Sequence, residues 1–518
     1  MSNRCRGAAI VAALGAAGCG TGSVEVVLDL PQKAELAPAG EATITLIAER
    51  AGESPRSTTS IVRDDGSFDV GKLPVVDGLS LSVVLRSPTQ RVVGYGRATA
   101  LVDVAPRDTI EVHVPMRRPF AYMTGSTQGL AAQDTTLDQS AQTANKYQQM
   151  VQANGAALVA AAGGDVWAIA ASGHAQRILG ATHTSDGATL ELPGGARDAV
   201  ASSDGRWVIA GVPNGMAIAD TTNGKVTTVS VSGGVDRVAI GLSPQGGLRA
   251  IGLSGRRTDG ACGSTSMIAL VDLGDTLGTL ATADAHAPLA DVAASESIPD
   301  LVGVDPCAGA LLRLALGGDG SSLKLASVPS PTAAAMFGAQ AWALGTAPGH
   351  VDPGIDPTTQ DDVTDKAANL VLVSAAIDGS SSNRADLSPV RQNVQGFDEG
   401  GNTIALARDI NADTATPIDL VAVPPGDQVA LIYTATYHAP ALSDGLHTVI
   451  PETSAQTSEY ELLNATGGAV VQRILTDCKL DYKGGDVSSW QCEPATGADW
   501  SIAGRFTPGN LAVLFGGR

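Results

Sequence analysis

An all-β chain is what this sequence predicts, and three observations predict it. Apolar and polar residues alternate at period two, a strand-turn-strand unit recurs along the chain, and few windows keep an apolar i, i+3, i+4, i+7 face over three turns. Glycine, of which there are 61, interrupts most of the windows that could have been helical. The 518 residues are enough for two to four domains, and they divide into a strand-rich N-terminal part and a longer repetitive part.

The first part spans 24–116. Val24, Val26, Leu28 and Leu30 occupy one face of an alternating run, and Ile44-Leu46-Ala48 and Ile110-Val112-Val114-Met116 repeat the pattern. Between them, Asp64-Asp65-Gly66-Ser67-Phe68 has the composition of a tight turn leading into a strand. Several short strands within roughly ninety residues predict a small β-sandwich. In architecture it resembles the Ig-like or prealbumin-like modules at the start of exported bacterial proteins, which implies a stalk or spacer and no catalysis. Pro115 and Pro119 around Met116-Arg117-Arg118 mark the boundary of this part.

From 120 to 518 a different pattern rules. Asp198-Ala199-Val200-Ala201-Ser202-Ser203-Asp204-Gly205-Arg206-Trp207-Val208-Ile209-Ala210 leads to Gly215-Met216-Ala217-Ile218-Ala219-Asp220 and then Asn223-Gly224-Lys225-Val226. A second copy begins at Val238-Ala239-Ile240-Gly241-Leu242-Ser243-Pro244 and closes on Met267-Ile268-Ala269-Leu270-Val271-Asp272. Weaker echoes start near Asp165, Leu289, Ala333 and Phe397. Self-similar units of this size cannot bury both faces alone, so they stack radially. The unit at 198–226 resembles one blade of the YVTN or lactonase-like β-propellers, and Phe120 to Gly125 resembles their first strand. That resemblance implies a β-propeller. About 400 residues at roughly 40 to 50 per blade hold seven blades with insertions near 346–369 and 440–500, and could equally hold six. Two stacked β-sandwiches are the competing arrangement.

The start of the chain reads as an export signal over 1–18, with Arg4 and Arg6 before an apolar run from Gly7 to Gly18. Ala16-Ala17-Gly18-Cys19 resembles the lipobox of bacterial lipoproteins, with Ala16 where Leu is usual. The resemblance implies acylation of Cys19 and a short tether over 19–23; ordinary secretory cleavage is the alternative. Gly20 lacks the Asp that favours inner-membrane retention, so an outer-membrane lipoprotein is expected, with membrane attachment through the lipid anchor only. No later run supplies the eighteen or so apolar residues of a spanning helix.

A formal charge of -20 argues against nucleic-acid partners, and aromatics at 3% leave few residues for a stacked carbohydrate site. Besides Cys5 and Cys19 there are four cysteines, Cys262, Cys307, Cys478 and Cys492; an even number in an oxidising compartment suggests two disulfides. Proximity favours Cys478 with Cys492, leaving Cys262 with Cys307.

The chain has no GxSxG elbow, no GxxxxGK followed by Ser or Thr, and no HExxH. His174 and His183 read as solvated turn residues, and His438 beside Tyr433 and Tyr437 as an edge or barrel residue. Two acidic loops could cage calcium: Asp352, Asp356, Asp361 and Asp362 in one, Asp409, Asn411 and Asp413 in the other. No cofactor is required by anything in the sequence. The functional expectation is a non-enzymatic binding or scaffold module with a protein or glycan partner in the cell envelope. Its rival is a lactonase-like or other hydrolytic propeller, which would gather carboxylates on a metal at one mouth of the central channel.

Overall fold

The computed structural model describes most of the chain from residue 21 to residue 517. Residues 1–20 and several later stretches, the longest being 30–42, 136–147, 395–407 and 495–510, lie outside the described residues. The export signal, Cys19, the turn at 64–68 and the echo at Phe397 fall there. Every regular element among the described residues is a strand, and none of them is a helix long and apolar enough to cross a membrane.

The unit legible at 198–226 shows how the sequence makes a sheet. Strands Asp198–Ala201, Trp207–Val212, Gly215–Asp220 and Lys225–Ser230 form a four-stranded antiparallel sheet in sequence order. The two middle strands are buried on both faces, and so read as continuous apolar runs, whereas the last alternates and exposes one face. Side chains fix the first turn. Trp207 N donates to Ser202 Oγ at 2.9 Å, Ser202 Oγ and Arg206 N both donate to Asp204 Oδ1, and Gly205 takes a left-handed φ of 76°. At Gly215, a Cβ would lie 2.0 Å from the Val229 carbonyl oxygen. Only glycine fits there.

Four further sheets share this form and strand order, over 156–191, 237–284, 291–327 and 331–387. Another sheet runs through Arg408–Val423, Gln428–Ala439, Thr453–Asn464 and Val470–Ile474, with Val390–Val394 along the start of its first strand. The innermost strands are neighbours in a closed cycle. Ala156–Ala162 lies beside Asp198–Ala201, and the series continues through Arg237–Leu242, Asp291–Ser295, Pro331–Phe337, Arg408–Val423 and Leu511–Gly517, which returns to Ala156–Ala162. A cycle of this kind is a propeller-like ring.

Closure depends on one long strand, Thr109–Ser126. Its second half pairs with Gly129–Asp134 on one side and with the C-terminal strand Leu511–Gly517 on the other, with Val513 opposite Ala121. Phe120 to Gly125 is therefore the second strand of its sheet, because the chain's end supplies the innermost one. The first half of the same strand belongs to the N-terminal part, where it runs parallel to Thr21–Asp29. Pro115 and Pro119 do not break the chain. They flank the place where the strand changes partners, and ladder donors are dispensable there.

The N-terminal strands follow one hydrogen-bonded path. From Arg56–Ile61 it runs through Thr43–Glu49, Ser80–Arg86 and Val92–Arg97 to the long strand, then to Thr21–Asp29 and Leu73–Pro74. Val26, Ile44, Leu46, Leu81, Val83 and Val114 share one buried cluster.

Candidate functional site

Each innermost strand except Leu511–Gly517 begins at one end of the ring and turns into the second strand at the other. These are the entry end and the first-turn end. Charged groups bridge both.

At the entry end, Asp198, Arg237 and Asp291 are the first residues of three consecutive innermost strands. The two carboxylates first tie sheet to sheet. Val238 N donates to Asp198 Oδ2 at 2.8 Å, and Ala334 N donates to Asp291 Oδ2 at 2.9 Å. Between them stands the Arg237 side chain, 8% exposed, with Nη1 3.5 Å from Asp198 and Nε 3.6 Å from Asp291. Its Nη2 donates to the Ile418 carbonyl at 3.4 Å, across the ring on the 408–423 strand, and Asp419 adds its charge. Burial alone would lower the Arg237 pKa, but Asp291, Asp198 and Asp419 outweigh it and the guanidinium stays charged. For Asp198 the balance differs: burial pushes its pKa up against the pull of Arg237.

Beside this group, the segment after Leu248–Ser254 lies over the neighbouring sheet. Arg256 Nε donates to Ala290 O at 2.7 Å, Arg257 N donates to Leu289 O, and Arg256 N donates to Asp236, which also accepts from Arg197. Burial, and then the nearby Arg237, lower the Arg256 pKa. A disulfide between Cys262 and Cys307, with Cα atoms 5.7 Å apart, fastens this segment to the second turn of the 291–327 sheet. It closes a loop of 45 residues, so Cys307→Ser is expected to cost about 2–4 kcal/mol in urea unfolding of the oxidised protein. An unchanged midpoint would show that the bond does not restrict the unfolded chain.

The first-turn end meets the N-terminal part. Arg97, on Val92–Arg97, donates from Nη1 to Ser203 Oγ at 3.1 Å, while Ser203 donates through both N and Oγ to the Glu296 carboxylate. Ser203 and Glu296 belong to first turns two sheets apart, so their contact spans part of this mouth. Arg86 forms an ion pair with Asp427, in the first turn of the 408–474 sheet. Burial pushes the Glu296 pKa up, more than Ser203 and Arg97 lower it. A carboxyl raised on folding contributes stability at low pH that is lost as pH rises through its folded pKa. Glu296→Gln should therefore lose less stability than the parent as the pH rises above the ordinary carboxyl range. Equal losses in a urea series would remove Glu296 from that dependence.

The sites expected from sequence fall elsewhere. Of the first four, Asp352 and Asp362 belong to an extended hairpin in which Asp352 lies opposite Asp365 and Ile355 opposite Asp362. Asp352 and Asp362 are on its strands, not in a loop, and Asp356 and Asp361 lie outside the described residues. Asp409, Asn411 and Asp413 are in strand Arg408–Val423, also contrary to expectation. Extended backbone sets alternate residues about 6.6 Å apart, too open for a one-loop oxygen cage. Among the described residues no three His, Cys, Asp or Glu side chains are grouped to hold a metal. The segment 440–500 carries the short pair Leu442–Ser443 and Thr448–Ile450 and the hairpin Thr476–Lys483 with Asp486–Pro494. In that hairpin Cys478 and Cys492 are direct cross-strand partners by backbone register.

His174 is exposed on Glu191, as a solvated residue should be, whereas His183 is half-buried and engaged: its Nδ1 is 2.7 Å from the Tyr122 hydroxyl and its ring lies 4.5 Å from that of Phe120. The Tyr433 hydroxyl lies 2.6 Å from Glu459 and 2.7 Å from Glu461, both buried, a cluster that sequence reading missed. Alternation on Thr453–Asn464 puts both glutamates on one face, and that was the available signal.

No family model matches the chain, and no curated protein matches it. Among solved structures, a functionally unknown protein from Desulfotomaculum acetoxidans DSM 771 is similar at 9% identity and a TM-score of 0.38, over 73% of this chain and 99% of that one. The Cps50 (Swd1) β-propeller domain of Myceliophteria thermophila gives 12% and 0.35, over 64% and 89%. A chain from a nidogen/laminin complex gives 12% and 0.32, over 51% and 91%. Likeness at this level adds nothing to the ring closure seen in the strands themselves.

Proposed function

We propose that the chain is an exported lipoprotein of the outer membrane, anchored by a lipid on Cys19, whose ring is a seven-bladed propeller behind a folded-over N-terminal β-sandwich. The propeller acts as a non-enzymatic binding module for a protein or glycan partner in the cell envelope. One observation carries the reading: at the entry end the carboxylates of Asp198, Asp291 and Asp419 gather around the Arg237 guanidinium. A hydrolytic propeller of the lactonase type would need such carboxylates for a divalent cation, and here a fixed cation of the chain already holds them. Scarce aromatics favour a protein over a glycan as the partner.

The reading is tested on protein purified from membranes. Replacing Cys19 by Ala should release it into the soluble fraction. Calorimetric titration with calcium or manganese should show no saturable binding that depends on Asp198, and a defined envelope component should bind the parent and be lost from a Ser232→Arg, Thr265→Arg variant altered at the entry end. Cation binding abolished by Asp198→Asn, together with cation-dependent lactone hydrolysis, would replace this reading with the enzymatic one.

A further inference from the structure

The two ends of the ring are not equivalent with respect to the start of the chain. Strand Thr109–Ser126 enters the ring from the first-turn end, since its second half follows the N-terminal part and runs beside the innermost strand Leu511–Gly517 in antiparallel register. Thr21–Asp29 is parallel to the first half of that strand, pairing Ser23 with Thr109 and Asp29 with Pro115. The beginning of Thr21–Asp29 therefore lies at the end of the N-terminal module remote from the ring, and Asp29 lies nearest to it. Seven paired residues at about 3.3 Å each separate those positions by about 20 Å. Cys19 precedes Thr21 by a reach of at most about 7 Å, so an anchor there belongs to the remote end.

The same module covers the first-turn mouth. Its attachments are spread around the ring: the long strand enters one sheet, Arg97 meets Ser203 in a second and through it Glu296 in a third, and Arg86 meets Asp427 in a fourth. Going round the cycle of innermost strands, one sheet separates each of these from the next, except that the 408–474 sheet adjoins the sheet of the long strand, so the contacts are distributed around the mouth instead of touching one rim.

We infer that the N-terminal module is a cap and spacer set between the anchor and the ring, so that the entry end, with Arg237 and the disulfide-fastened segment, faces away from the membrane. This rests on the reading that Cys19 carries the lipid.

Energy transfer tests it. A donor dye is placed on an azide-bearing phenylalanine analogue at Ser232, an exposed position of the entry end, or at Asp275, an exposed position of the first-turn end. Lipidated full-length protein is reconstituted in vesicles of phosphatidylethanolamine and phosphatidylglycerol with a rhodamine-labelled headgroup acceptor. Transfer from position 275 should exceed that from position 232 by several-fold. A second preparation, in which residues 1–20 are replaced by a hexahistidine tag held on nickel-chelating lipid, should give the same order. Equal or reversed transfer in the tagged preparation overturns the orientation. If only the untagged protein fails to associate with vesicles, the lipid reading fails and the orientation of the module stands on the tagged result.

Discussion

Arg237→Met is expected to destabilise the ring by about 3–5 kcal/mol, because it leaves the enclosed carboxylates of Asp198 and Asp291 with no cation between them. Methionine keeps most of the apolar stem, so packing loss is a small part of the effect. Charge is the larger part. The triple variant Arg237→Met, Asp198→Asn, Asp291→Asn should recover to within about 1–2 kcal/mol of the parent, since asparagine can still accept from Val238 N and Ala334 N. Urea unfolding of the parent, the single and the triple variants separates the two parts. A triple variant no better than the single one would mean that the cost comes from packing.

Removing residues 511–518 should have a larger effect still. The strand Leu511–Gly517 is the innermost member of its sheet and the neighbour of both Ala156–Ala162 and Arg408–Val423 in the cycle. Its loss unpairs one edge of the long strand at Phe120 to Met123, a stretch that contributes Phe120 and Tyr122 to a buried cluster. At about 1 kcal/mol for each lost ladder hydrogen bond, besides the exposed apolar area, the deficit reaches the whole stability of an ordinary domain. The shortened protein should aggregate through its open edge, and a synthetic peptide of residues 509–518 added during refolding should restore soluble material by strand addition. A shortened protein that is soluble, monomeric and cooperative would deny the closing role of this strand.

Much of this architecture is legible in the residues. Ser202-Ser203-Asp204-Gly205 announces its turn because each side chain bonds the backbone beside it, and the doubly buried runs Trp207–Val212 and Gly215–Asp220 announce the middle of a sheet. Such signals are local. The entry-end group is not, since Asp198, Arg237 and Asp291 come from three separate repeats and meet only when the ring closes. A trace of it is present nonetheless: each is a charged residue placed immediately before a run of small apolar ones, and the sign alternates from repeat to repeat. Asp352, Asp362 and the segment 409–413 read as loops yet lie in strands, because composition registers ligand oxygens but not the pairing that draws the backbone straight. Pro115 and Pro119 do flank the place where the strand passes from the N-terminal part to the ring, but without interrupting it. Proline punctuates a chain only where the backbone N–H is needed, and a strand changing partners does not need it.

The account depends most on closure of the ring by its two distant segments, and a cross-link between them tests that directly. Ala121 and Val513 are opposed in the antiparallel register of Thr109–Ser126 and Leu511–Gly517. Opposed residues in such a pair bring their Cβ atoms to about 4.5–5.5 Å, close to the range a disulfide spans after small adjustment. The double variant Ala121→Cys, Val513→Cys, oxidised in the native state, should yield a peptide joining the two positions in a protease digest, while Ala121→Cys with Asp275→Cys should not. A digest in which Cys262 and Cys307 are joined but positions 121 and 513 carry free thiols would contradict the closed ring.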